Sequence, residues 1–209
     1  MKVRLYIFAF VVAAMIPVVL YVGSEEFSHG QPAHYPGATN DSADLGRTRS
    51  FSLIDTHGAV VTDRSFRGNW LIVFFGFTHC VDICPAAQSN LSEALKALGD
   101  TASRVRVAFI TVDPGRDSPQ ALHTYLQALG PQFIGLTGSA EEISKAEETF
   151  GAYAEKKSTT EDGNYTVKHS STFFVLDPKG QLRRQISAQT TVADLTATLR
   201  RTMSPSERF

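Results

Sequence analysis

Cys80 and Cys84 are the only cysteines of the chain, set four positions apart between His79 and Pro85. So close a pair cannot form the multi-bridge framework that staples small secreted domains, which points to chemistry: thiolates attack disulfides and bind soft metals. On a regular helix their Cβ atoms would stand roughly 5–6 Å apart, against about 3.8 Å in a disulfide, whereas a loop serves both the open and the bonded state. The structural alternatives are an inert disulfide closing a short loop, which gains little from closure, and two buried thiols acting as small apolar residues. Two thiolates under-fill most metal sites, and histidine is the natural third donor. The chain has six. His29 and His34 fall in a polar stretch, His57 in a turn, His123 on an expected helix, and His79 beside Cys80, where it could tune the thiols. His169 follows a polar loop and precedes a late strand. Residue types alone leave the choice open.

Neighbouring elements must position these groups. The run at 70–77, WLIVFFGF, is apolar on both parities, as a strand covered on both faces is. Residues 85–98 carry Leu91, Leu95 and Leu98 at helical spacing, and Pro85 suits the first helical position. Because proline disfavours α conformation in the residue before it, Cys84 is expected as the helix cap, with Cys80 in the loop. Unpaired N–H groups at the helix start should then lower the Cys84 thiol pKa. A strand is expected at 105–112, a helix at 118–129, a strand at 133–136 and a helix at 140–150. A hairpin at 172–176 and 182–186 and a helix at 191–202 close the chain. Upstream, 51–54 and 60–61 read as a hairpin around the turn 55–58. Asp113 and Asp117 read as turn residues, with Asp117 or Ser118 capping the next helix; support of a metal ligand is the other role open to them. The order is that of a three-layer α/β domain.

With 209 residues, 43% of them apolar, the chain can bury one core, and a formal net charge of −1 lacks the basic excess of a nucleic-acid binder. Lys2 and Arg4 precede an uncharged, mainly apolar run at 5–22, and Glu25 and Glu26 follow it. As a helix this run would measure about 27 Å, roughly a hydrocarbon core, and the charge asymmetry places the N-terminus in the cytoplasm. A cleaved signal peptide is the rival reading, although its apolar region is usually about 7–15 residues long. The expected organisation is a membrane anchor or uncleaved signal at 1–24, a flexible tether at 25–47 and a folded domain at 48–209, in a compartment that permits disulfides. The lack of an Arg/Ser-rich presequence favours a bacterial inner membrane, with the domain in the periplasm.

Three stretches together, GFTHCVDICP at 76–85, TVDPGRDSP at 111–119 and YTVKHSS at 165–171 with DPKG at 177–180, resemble the SCO/SenC family. The resemblance runs from about residue 51 to the end, in the right order. It implies a thioredoxin-like domain with a central mixed sheet, preceded by an N-terminal transmembrane helix. It further implies copper held by Cys80, Cys84 and His169, and a role in assembling the dinuclear copper centre of cytochrome c oxidase. Two soft thiolates suit Cu(I), and an added imidazole accommodates Cu(II). The implied partners are the copper-centre subunit of the oxidase, other periplasmic copper carriers and thiol reductants. The alternative is a thiol-disulfide oxidoreductase that uses Cys80 and Cys84 as a redox pair and delivers no copper. A peroxidase, with Thr78 beside a reactive thiol, and a redox-sensing module are also compatible with the fold. Family members usually carry proline after the first cysteine. Val81 frees φ and adds an N–H, which bears on loop rigidity rather than on ligand identity.

Overall fold

The computed structural model describes residues 45–80, 83–157 and 165–204. The apolar run at 5–22, His29, His34, Val81 and Asp82 lie outside the described residues. Nine strands are described: β1 (Ser52–Asp55), β2 (Val60–Thr62), β3 (Trp70–Gly76), β4 (Val105–Thr111), β5 (Phe133–Thr137), β6 (Ala154–Lys156), β7 (Val167–His169), β8 (Thr172–Leu176) and β9 (Leu182–Ser187). Seven of them form one mixed sheet in the order β2-β1-β5-β4-β3-β8-β9, and β6 and β7 form a separate ribbon. β3, β4 and β5 run parallel at its centre, with β8 antiparallel to β3 and β1 antiparallel to β5. The first β-hairpin holds its turn through Asp55, whose Oδ1 accepts from the N–H groups of His57 and Ala59 at 2.8 and 3.0 Å.

The parallel centre accounts for the unbroken apolar run of β3, because successive side chains enter opposite faces and both are covered. Ile72 and Phe74 pack with Leu91, Leu95, Leu122 and Leu195 beneath α1 (Ile83–Leu98), α2 (Pro119–Leu126) and α4 (Val192–Thr202). Leu71, Val73 and Phe75 pack on the other face with Ile143 and Phe150 of α3 (Ala140–Phe150). Burying each such side chain stabilises the fold by roughly 1.5–3 kcal/mol before entropy is counted.

Helix ends follow local chemistry. Ser139 and Glu142 form a capping box on α3, which stops at Gly151, a residue with φ of 65° that favours glycine. Ser118, not Asp117, caps α2 by accepting from the Ala121 N–H at 3.2 Å. That helix ends at Leu126 in a turn closed by Leu129 N–H on Leu126 O (2.9 Å), short of the expected end. α1 starts at Ile83, so Cys84 is inside its first turn rather than at the cap. Pro85 is tolerated there because first-turn N–H groups have no intrahelical acceptor to lose. Upstream, Gly46 N–H donates to Leu182 O at 2.7 Å, and Leu182 N–H donates to Arg47 O at 2.9 Å. Among the described residues no helix is long and apolar enough to cross a membrane.

Candidate metal centre

β3 delivers the chain to the carboxyl end of the sheet, where a turn closed by Cys80 N–H on Phe77 O (3.2 Å) precedes α1. Cys80 is left partly exposed, whereas Cys84 is fully buried against the sheet. Gly76 makes room for it: a Cβ there would stand 2.7 Å from the Phe109 ring and 3.2 Å from Cys84 Sγ.

His169 arrives from another part of the chain, as the last residue of β7, facing Ala154 across the ribbon. Its Nε2 lies 3.2 Å from Cys84 Sγ and its Nδ1 lies 3.0 Å from Ser170 O. A carbonyl only accepts, so in the neutral ring the proton belongs on Nδ1 and the Nε2 lone pair faces the sulfur. The ring stands edge-on to Phe77 (5.8 Å, 90°) and near Phe74 (6.3 Å, 77°), which fixes its plane. The ligand atoms of Cys80, Cys84 and His169 all lie within 4.8 Å of one another. Donors sharing one ion at about 2.0–2.3 Å stand roughly 3.3–4.5 Å apart, so small side-chain rotations suffice to hold a metal.

Both cysteines are free thiols. Contrary to the sequence-based expectation, the Cys84 pKa is pushed strongly up. The hydrogen bond shared with Cys80 is the largest cause, followed by burial and the charge of Cys80, and the backbone at Phe77 opposes them only in part.

Two fully buried carboxylates brace this cluster. Asp117 accepts from Thr78 N–H (3.0 Å), Thr78 Oγ1 (2.6 Å) and Thr111 Oγ1 (2.7 Å), and so pins the turn two residues before Cys80. Asp113 accepts from Tyr165 OH at 2.6 Å and from Arg116 Nε. The Arg116 guanidinium lies 3.6 Å from the Tyr165 ring centroid, donates to Tyr165 O at 3.1 Å, and lies 5.7 Å from the Phe77 centroid. These partners offset the cost of burying charge. Of the two roles the sequence leaves open to these aspartates, turn residue and support of a metal ligand, the structure shows them bracing the elements that carry the ligands.

The other histidines among the described residues stay out of the cluster. His79 is about half exposed; its Nδ1 meets Thr78 Oγ1 at 2.9 Å and it is not among the three clustered residues. His57 and His123 pair edge to face at 6.3 Å beside a groove near β5. Tyr125, which reasoning from sequence missed, receives a hydrogen bond from Gln88 at 3.2 Å, and burial pushes its phenol up to about 12.

A mixed α/β sheet carrying a Cys-Cys-His cluster at the carboxyl end of its parallel strands defines a domain suited to thiol or soft-metal chemistry. The SCO1/SenC family profile matches residues 39–204, and the chain belongs to that family. It is 38% identical over 159 residues to Protein sco1 of Schizosaccharomyces pombe, covering 73% of this chain and 60% of the relative. The chain spans about half to three-fifths of the length of the curated relatives it matches. Among solved structures, copper-bound ScoI of Bradyrhizobium japonicum is 36% identical with a TM-score of 0.68, covering 75% of this chain and 99% of that one. BsSco, a member of the Sco family of cytochrome c oxidase assembly proteins with a disulfide switch, is 25% identical with a TM-score of 0.59, covering 76% of this chain and 94% of that one. The fold is accordingly the thioredoxin-like α/β type with a central mixed sheet.

Proposed function

We propose that this protein carries copper on Cys80, Cys84 and His169 and serves assembly of the dinuclear copper centre of cytochrome c oxidase, delivering the metal or preparing the receiving thiols. The convergence of three soft and borderline donors within 4.8 Å carries this reading. Two thiolates hold Cu(I), and the imidazole completes a site that also accepts Cu(II). The copper-bound family structures support it. The copper-centre subunit of the oxidase is the recipient, with periplasmic copper carriers or thiol reductants upstream. The apolar run at 5–22 anchors the chain in a bacterial inner membrane and leaves the domain in the periplasm. The hydrogen bond with Cys80 and burial raise the Cys84 pKa, so copper binding as thiolate competes with a proton and copper affinity should rise with pH.

The asymmetry of the thiols favours a second activity at the same site. Partly exposed Cys80 can attack a partner disulfide as thiolate to form a mixed disulfide, and buried Cys84 can then attack Cys80 Sγ. The partner leaves as a dithiol and this protein is left with the Cys80–Cys84 disulfide.

Titration of the reduced protein with Cu(I) against an affinity-buffering competitor tests the copper reading. One tight equivalent is expected, weakened more than roughly 100-fold by Cys80→Ala or Cys84→Ala, since losing a ligand exceeds the usual cost of losing its support. Copper binding no better than that of denatured protein, with disulfide exchange intact, would leave the reductase as the function.

A further inference from the structure

The ribbon that presents His169 is slight: among the described residues β6 and β7 pair through three residue pairs, extended by Lys157 N–H on Thr166 O (2.9 Å) and Ser170 N–H on Tyr153 O (3.0 Å). A two-stranded ribbon is marginal by itself; Val167 seats this one on the core, and contacts outside the ribbon must fix the imidazole over the thiols. Tyr165, four residues before His169, carries a dense set of contacts. Its hydroxyl donates to Asp113 Oδ1 at 2.6 Å, its carbonyl accepts from Arg116 at 3.1 Å, and its ring lies 3.6 Å from the Arg116 guanidinium and 4.6 Å from Lys156 Nζ. Arg116 also reaches across the face of Phe77, the ring that abuts His169.

We propose that Tyr165, Arg116 and Asp113 form a clasp that holds the His169 arm over the thiols and thereby sets the preference of the site between Cu(II) and Cu(I). The proposal rests on the copper reading given above. Cu(I) is satisfied by two soft thiolates, whereas Cu(II) gains from the borderline imidazole. An arm already ordered avoids the entropic cost of ordering at the moment of binding, so the clasp adds to the affinity of the ion that uses the arm. Geometry places the other half of the site on the same loop. Asp117, whose N–H donates to Asp113 O at 3.0 Å, holds Thr78 and with it the cysteine turn. One short loop thus sets the distance between thiols and imidazole. Tyr165, Arg116 and Asp113 are positioning residues; they act through His169.

Tyr165→Phe removes one hydroxyl and keeps the ring, and it is tested in the parent and in a His169→Ala background, with Arg116→Lys as a second variant. In the copper-free protein, amide hydrogen exchange at 167–170 is expected to quicken roughly tenfold, the scale of one lost hydrogen bond to a charged group. Cu(II) affinity should fall by about the same factor while Cu(I) affinity changes less than about twofold. In the His169→Ala background the substitution should leave both affinities unchanged. Equal losses for both ions, or a loss that persists without His169, would overturn the clasp. Failure of the parent protein to bind copper would defeat the copper reading instead, and unchanged exchange at 167–170 would then still sink the clasp.

Discussion

The two halves of the metal site are built differently. The thiols follow β3 in the turn before α1 and in its first turn, where Gly76 pairs with Thr111 of β4 and Cys84 is buried in the same cluster as Phe109. The imidazole comes from a short ribbon outside that sheet, seated on the core through Val167 and otherwise held by polar and stacking contacts to one loop. A part of a site embedded in a close-packed core can shift only with the core, whereas a part tethered by a few polar contacts opens at the cost of those contacts. The cysteine half is thus built for fixed geometry, and the histidine half for capture and release.

Asp117→Ala should break the contrast most severely, because it removes the buried acceptor of three donors and loosens the rigid half. A stability loss of about 2–3 kcal/mol is expected from the orphaned Thr78 and Thr111 groups, read as a lower denaturation midpoint. If the midpoint hardly moves, the cysteine turn is held by packing alone and the carboxylate is not its anchor. Gly76→Ala should act on the same half through volume. The new methyl would press on Phe109 and the Cys84 sulfur, costing about 1–3 kcal/mol if the core cannot yield. Cu(I) affinity should fall with it while exchange at the His169 ribbon stays unchanged. Equal loosening of both halves would erase the distinction.

The same contrast explains what was legible in the sequence. The apolar run of β3 and Leu91 and Leu95 of α1 each announce an element through local spacing, and those elements form close to where they were expected. The ribbon carrying His169 has no such pattern. Glu155 and Lys156 are exposed, and with three pairs there is too little alternation to read. His169 stood out only through its family motif. The Cys84 pKa was misjudged for a related reason: the helix start is visible locally, but the Cys80 hydrogen bond and the depth of burial are properties of the assembled fold. Asp113 and Asp117 look like any turn residues until Thr78 and Tyr165, distant in sequence, come to meet them.

The smallest expected effect comes from a buried charge on the helix beside the histidine half. Glu147, on α3, is partly buried, and no hydrogen bond to its carboxylate is seen among the described residues. Burial raises its pKa, and the nearby His169 only partly offsets this. A carboxyl whose folded pKa is raised favours the folded state below the unfolded pKa, and this contribution is lost as pH rises through the folded value. At neutral pH the charge therefore costs stability, and Glu147→Gln should raise the melting temperature by about 1–2 °C. The gain should fade as the pH is lowered below the ordinary range of glutamate, where the native carboxyl is protonated anyway. If the gain instead persists at low pH, the effect belongs to helix propensity and not to charge.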